Sequence, residues 1–250
     1  MARPTVLLDG DIILYRACVG AERETDWGDD IWSLTSDLGA AKKSVEDSIT
    51  QALNTVNGDL IFCVNDVDNF RKHLNPDYKG GRSRKPLGYY HVLNWVREDY
   101  EVRSLPKCEA DDTLGILSTS GEFAHPVIMS GDKDMKTIPG RFIRGREWFN
   151  HSEGEADYWH LFQTLTGDIT DGYKGCPGIG PKTAEALLKA NAHAPWNAVI
   201  EAFKKAKLTE EDALLQARMA RILRAEDYNL ETKEPILWTP KPDLVVTPPA

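Results

Sequence analysis

Short apolar runs that stop at acidic residues alternate, over the first two thirds of this chain, with stretches whose apolar residues recur every three or four positions. Residues 5–8 (TVLL) predict a buried strand ending at Asp9 and Gly10, and 12–21 reads as a helix. Leu38, Ala41, Val45, Ile49, Ala52, Leu53 and Val56 keep helical spacing, which predicts an amphipathic helix within 38–56. A second strand, 60–64, runs out at Asp66. A third, 100–105, delivers the chain to Glu109, and a fourth, 126–129, ends before Asp132 and Asp134. Between the second and third strands a Gly- and Pro-rich loop leads into a helix near 87–98, and Ala110, Leu114 and Leu117 open another helix. This alternation predicts an α/β fold, with a mainly parallel central sheet flanked by helices and right-handed crossovers.

Beyond about residue 155 the pattern is helical throughout, over 155–167, 181–190, 196–207 and 209–223, and a proline-rich stretch from Thr239 predicts a poorly ordered tail. The expected organisation is an α/β core over 1–154, a helical region over 155–238 packed on it, and a tail over 239–250.

Acidic residues gather where the predicted strands stop: Asp9; Asp66; Glu109, Asp111 and Asp112; Asp132 and Asp134. Asp168 and Asp171 form a fifth group further on. In open parallel sheets the ligand site lies at the carboxyl ends of the strands, so four of the five groups fall at one edge. Acids so concentrated repel one another unless hard cations sit among them, which points to a magnesium site acting on phosphate through two metals. The bland reading, helix caps or structural calcium, suits any single group but not all five together. Asp9-Gly10-Asp11 also disfavours a dinucleotide-binding turn, because its acids repel a pyrophosphate.

The formal net charge of -9 argues at first against nucleic acid. Its distribution reverses that: residues 71–85 hold Arg71, Lys72, Lys79, Arg82, Arg84 and Lys85 against a single acid, Asp77. A basic segment beside an acidic metal pocket suits a polyanionic substrate. Cys18, Cys63, Cys108 and Cys176 are widely spaced and predict free thiols in a reducing compartment. With no apolar run long enough for a signal peptide or a membrane span, a cytoplasmic protein is expected.

A second informative element is GCPGIGPKTA, residues 175–184. Glycines on both sides of Ile179 allow a tight turn that brings backbone close to a phosphate, and Pro181 suits the first position of the next helix. Gly178, Gly180, Lys182 and Thr183 are the candidate DNA-binding residues of this turn, which resembles a helix-hairpin-helix element.

The strings LLDGDIILYRA, NPDYKGGR, CEADD, SGDKD, GDITDGYKG and GIGPKTA follow, in order, the motifs of the 5' nuclease superfamily, which includes flap endonucleases. DYWHLFQTLTGDITDGY and QARMARILRAEDYN look closer still to the 5'-to-3' exonucleases of short-tailed bacteriophages, and the resemblance spans almost the whole chain. It implies a PIN-like 5' nuclease fold and a magnesium-dependent 5'-to-3' exonuclease on double-stranded DNA with free 5' ends, nicks or gaps. The products would be 5'-phosphate mononucleotides and short oligonucleotides, and removal of RNA from RNA:DNA hybrids is a further implied activity. A monomer working in the host cell cytoplasm is the default.

Carried over by position, the resemblance implies one metal held by Asp9, Asp66, Glu109, Asp111 and Asp112, and another by Asp132, Asp134, Asp168 and Asp171. Magnesium is the expected ion, with manganese as substitute and potassium at the glycine hairpin. Lys79 and Arg82 match the basic pair that reaches the scissile phosphate, Asp132 is counted with them as catalytic, Tyr78 is expected to stack on the terminal base, and Arg71, Arg84 and Lys85 to face DNA. Only six residues separate Arg82 from Tyr89, where flap endonucleases carry a long helical arch. That departure favours attack at duplex ends over threading of a single strand. The alternatives are a structure-specific flap endonuclease, a catalytically silent DNA-binding protein and a PIN-like RNase.

Overall fold

In the computed structural model, residues 2–249 are described. The chain runs through β1 (Thr5–Asp9), α1 (Gly10–Gly20), β2 (Glu22–Asp26), β3 (Trp32–Ser36), α2 (Leu38–Thr55), β4 (Asp59–Cys63), α3 (Phe70–Leu74), α4 (Tyr89–Asp99), β5 (Val102–Arg103), α5 (Ala110–Thr119), β6 (Val127–Met129), β7 (Gly140–Arg144) and β8 (Glu147–His151). Then follow α6 (Glu153–Thr166), α7 (Pro181–Ala190), α8 (Pro195–Lys205), α9 (Glu210–Ala220) and a small ladder of β9 (Tyr228–Asn229) with β10 (Glu234–Pro235).

Six strands form the central sheet in the order β5-β4-β1-β6-β7-β8, parallel except for β8, which returns antiparallel along β7. Alternate residues of each strand face opposite layers. Leu8 and Phe62 pack with Leu14 and Ala17 of α1, Val45 and Ile49 of α2, and Val92 and Val96 of α4. Leu7, Ile61 and Ile128 point the other way, onto Leu114 and Leu117 of α5 and onto Met135 and Ile138. The chain moves outward from β1 to β4 to β5, then crosses back to β6 on the other side of β1. The strand order therefore reverses between β1 and β6, where a parallel sheet opens its crevice.

Local chemistry sets the helix starts. Asp9 accepts from the Ile12 amide and Asp37 from the Ala40 amide, while Ser152 with Glu155 and Thr209 with Asp212 form reciprocal capping boxes. The four later helices bury a core of their own around Leu161, Leu188, Val199, Phe203 and Ala217. This unit is docked on the sheet layer. The Leu223 amide donates to Asp112 at 3.1 Å, and a Cβ on Gly115 of α5 would lie 2.2 Å from the Leu223 carbonyl oxygen, so only glycine admits the approach.

Two expectations need correction. The region after 155 is not wholly helical: α9 stops at Ala220, and residues 221–224 run extended before the β9–β10 ladder, because they cross the end of α5. Nor is the stretch from Thr239 loose. Val246 is buried among Trp196, Trp238 and Leu161, its amide donates to Ala192, and the Thr247 amide donates to Gly154. No helix among the described residues is long and apolar enough to cross a membrane, and the four cysteines are buried free thiols.

Candidate active site

The strand ends converge as the sequence pattern requires. A cavity of about 330 Å³ opens at the carboxyl edge of the sheet, and its wall carries Asp9, Asp11, Glu109, Asp111, Asp132, Asp134, Asp168 and Asp171. Asp9 ends β1, Glu109 caps α5 and Asp111 lies in its first turn; Asp132 and Asp134 follow β6, and Asp168 and Asp171 come from the turn after α6. Asn65 after β4, Gln163 of α6, Lys79 and Arg82 complete much of the lining.

The cavity divides into two electrostatic halves. In one, burial works to raise the Glu109 carboxyl, yet Lys79 and Arg71 beside it and the hydrogen bonds from Lys79 and Tyr78 hold it down to about 2. The Tyr78 hydroxyl donates to Glu109 at 2.8 Å, Arg82 pairs with Asp171 at 2.7 Å, and Lys79 lies 3.6 Å from Asp171. In the other half cations do less: Lys79 only partly offsets the rise at Asp111, and Lys133 and Lys136 that at Asp134. Burial, only partly offset by hydrogen bonds from Ser130 and the Ile12 amide, pushes Asp9 up to about 6, with Asp11 and Asp132 adding repulsion. Asp111 is driven well above the carboxylate range by burial and then by Asp9 and Asp132. Asp134 rises to about 6 through burial and the Asp132 charge, and its buried Oδ1 has no hydrogen-bond partner.

Such packed, mutually repelling, oxygen-only donors fit a hard divalent cation, whose charge removes both the repulsion and the orphaned acceptor. Among the described residues no three acid, thiol or imidazole side chains close into a ready-made cage. A magnesium ion that keeps several waters needs none.

Not every expected ligand reaches this wall. Asp66 lies off the cavity and accepts from the Lys107 amide at 2.8 Å. Asp112 is fully buried, and its oxygens are taken by Arg71 at 2.7 Å each and by the Leu223 and Glu109 amides. Two further assignments change as well. Tyr78 lines the cavity but is buried, with its hydroxyl donated to Glu109, which leaves little of its ring open for a base to stack on. Arg71 reaches the cavity wall, but its guanidinium is bound to Asp112, Glu109 and the Met219 and Arg221 carbonyls, leaving a clamp instead of a phosphate ligand.

Lys79 and Arg82 stand at the cavity with Glu109 and Asp171 as partners. Arg84 pairs with Glu22, away from the acid cluster, and Lys85 with Asp11 at its edge. The glycine hairpin is apart from the cavity, with Gly175 and Cys176 buried and Pro177, Gly178 and Gly180 exposed. Gly178 has φ +79, a conformation L side chains rarely adopt; Gly180 precedes α7 without a side-chain cap, and Lys182 and Thr183 lie solvent-facing in the first turn. The sequence reading assigned no site role to Asp11, Asn65 or Ser130. Ser130 donates to Asp9 and accepts from the Asp132 amide at 3.0 Å, tying the ends of β1 and β6 together. Asp11 and Ser130 stand inside the motif strings, each two positions from an assigned acid, Asp9 and Asp132.

A model of the family described as 5'-3' exonuclease, N-terminal resolvase-like domain, matches residues 4–144. The exodeoxyribonuclease of Enterobacteria phage T3 and the exonuclease of Escherichia phage T7 are each 33% identical to this chain, over 94% of it and 93% of their own lengths. Among solved structures, a phage T5 protein co-crystallised with metal ions superposes with a TM-score of 0.65 at 15% identity, over 88% of this chain and 90% of its own, which shows the shared fold.

Proposed function

The chain belongs to the 5'-3' exonuclease family, and from that premise we propose that it degrades double-stranded DNA from 5' ends, nicks and gaps in a reaction that depends on magnesium. The observation that carries this reading is the divided cavity: buried acids that repel one another on one side, and on the other two cations, Lys79 and Arg82, paired with carboxylates at the cavity wall. Asp9, Asp111, Asp132, Asp134 and Asp168 are the residues that would hold two ions, in keeping with the metal ions of the T5 protein of like fold. Ions bound there supply an activated water and stabilise the leaving oxygen.

The chain's own residues do the rest. Ser130 fixes the orientation of Asp9 by donating to it while receiving the Asp132 amide. Lys79 and Arg82 give up Glu109 and Asp171 for the scissile phosphate and stabilise the charge that develops on it. Tyr78 and Arg71 keep donating to Glu109, so it stays ionised and in place when Lys79 leaves. Away from the cavity, the open amides at the start of α7 with Lys182 and Thr183 suit the phosphate backbone of the duplex, with potassium as the candidate ion at the glycine turn.

Digestion of a blunt DNA duplex beside a single-stranded RNA, each in magnesium and in EDTA, tests the reading. Turnover of the duplex in magnesium only, reduced about 100-fold in Lys79→Ala and Arg82→Ala, is the expected result. Degradation in EDTA, or preference for the RNA, would overturn it.

A further inference from the structure

Beside the acid cavity lies a groove of about 770 Å³ that shares Asp11, Lys79 and Arg82 with it. One wall is built from residues of the 79–85 segment and another from Ile169, Thr170 and Gly172. A strand end reaching the acids past Lys79 and Arg82 lies along this groove, so its width bears on which substrates enter.

The connection 83–88 is irregular, with no helix of its own, yet it is fastened at both ends. Asp11 accepts from Lys85 Nζ at 3.0 and 3.2 Å and from the hydroxyl of Tyr89, the first residue of α4. Lys85 also lies 4.1 Å from the centre of the Tyr89 ring. Glu22, the first residue of β2, accepts from Arg84 Nη1 at 3.0 Å and from the Leu87 amide at 2.7 Å. Those two donors hold the Glu22 carboxyl below its ordinary range, the Leu87 amide first. From behind, Gly88 takes φ +78, and a Cβ there would meet Leu38 Cδ2 at 2.4 Å. The β2–β3 hairpin pairs with no other strand, and its base is braced against this connection.

We propose that Glu22 and Asp11 determine substrate choice by pinning residues 83–88, which fixes one wall of the groove so that the 5' strand end of a duplex is favoured over a displaced single strand. This rests on the exonuclease reading above. Glu22 touches neither the acids nor the groove lining and stands on a largely exposed strand, so its substitution leaves the metal site and the core intact.

Glu22→Ala, with Glu22→Gln as the variant that keeps an acceptor oxygen, is compared with the parent in two measurements. The first is tryptic cleavage after Arg82 or Arg84 without DNA, expected to quicken about tenfold in Glu22→Ala and less in Glu22→Gln as the released segment opens locally. The second is magnesium-dependent cleavage of a 5' flap against a blunt duplex of the same sequence, where the flap-to-blunt ratio is expected to rise at least about threefold in Glu22→Ala. Unchanged tryptic cleavage overturns the anchoring, and faster cleavage with an unchanged ratio overturns the role in specificity. A parent that cuts neither DNA sinks the exonuclease reading instead, while the tryptic comparison still decides the anchoring.

Discussion

Taking a guanidinium out of water costs several kcal/mol unless every donor is met, and Arg71 meets that cost with two bonds to Asp112, one to Glu109 and two to backbone carbonyls at the end of α9. Removing it leaves Asp112 charged and buried. Arg71→Ala is therefore expected to lose about 3–5 kcal/mol of stability in urea unfolding, and Arg71→Lys most of that, since an ammonium cannot span the bidentate pair. A phosphate-binding role alone would leave the unfolding curve unmoved. Asp132→Ala is a contrasting case: cleavage should fall by at least about 1000-fold with duplex affinity, read by anisotropy in EDTA, nearly unchanged.

His160 supplies a pH dependence. Burial first, then the Arg221 charge, holds its imidazole well below the usual 6.5, despite its bond to the Ala217 carbonyl. The unfolded chain takes up a proton near pH 6.5 that the fold refuses, so stability drops as pH falls below that value, by up to about 1.4 kcal/mol per unit. His160→Gln should flatten this slope in melting curves between pH 7 and 5, and an identical slope would contradict it. At this scale the sequence told acids from non-acids but not which way they face. Asp111 and Asp112 are neighbours in one helical turn, about 100° apart around its axis, so one lines the cavity and the other locks the core.

Elements were legible where their apolar faces were regular. β1, α2, β4 and α7 stand within a residue or so of their expected bounds because each buries a stripe or run that only one periodicity fits. The β2–β3 hairpin escaped notice because ERETD and WSLTS lie largely exposed and carry no core pattern. The β7–β8 pair was missed because its core contribution is limited to residues such as Phe142, Ile143 and Phe149. The C-terminal stretch was misread because proline content hid the apolar residues between the prolines. Val246 is 2% exposed, so Val246→Ala should cost about 1–3 kcal/mol, and truncation after Trp238 more. A truncated chain with parental melting temperature would contradict that docking.

For the molecule as a whole, a net charge of -9 coexists with a nucleic-acid reading because charge is sorted by place. Acids converge at the reversal point of the sheet, cations stand on one segment beside them, and the helical unit offers the open start of α7 elsewhere. The alternation of strands and helices made this convergence deducible from the sequence, since parallel strands deliver all their carboxyl ends to one edge. What that pattern could not reveal is which acids are matched by cations, which depends on contacts between distant positions, such as Lys79 with Glu109 and Arg82 with Asp171. The most direct test of the account is magnesium-dependent digestion of a blunt DNA duplex labelled on one strand, at its 5' end in one sample and at its 3' end in another. Labelled mononucleotide appearing at once from the 5' end, with the 3' label retained in steadily shortening fragments, is the predicted result. Early loss of the 3' label, or release of the 5' label only within long fragments, would contradict it.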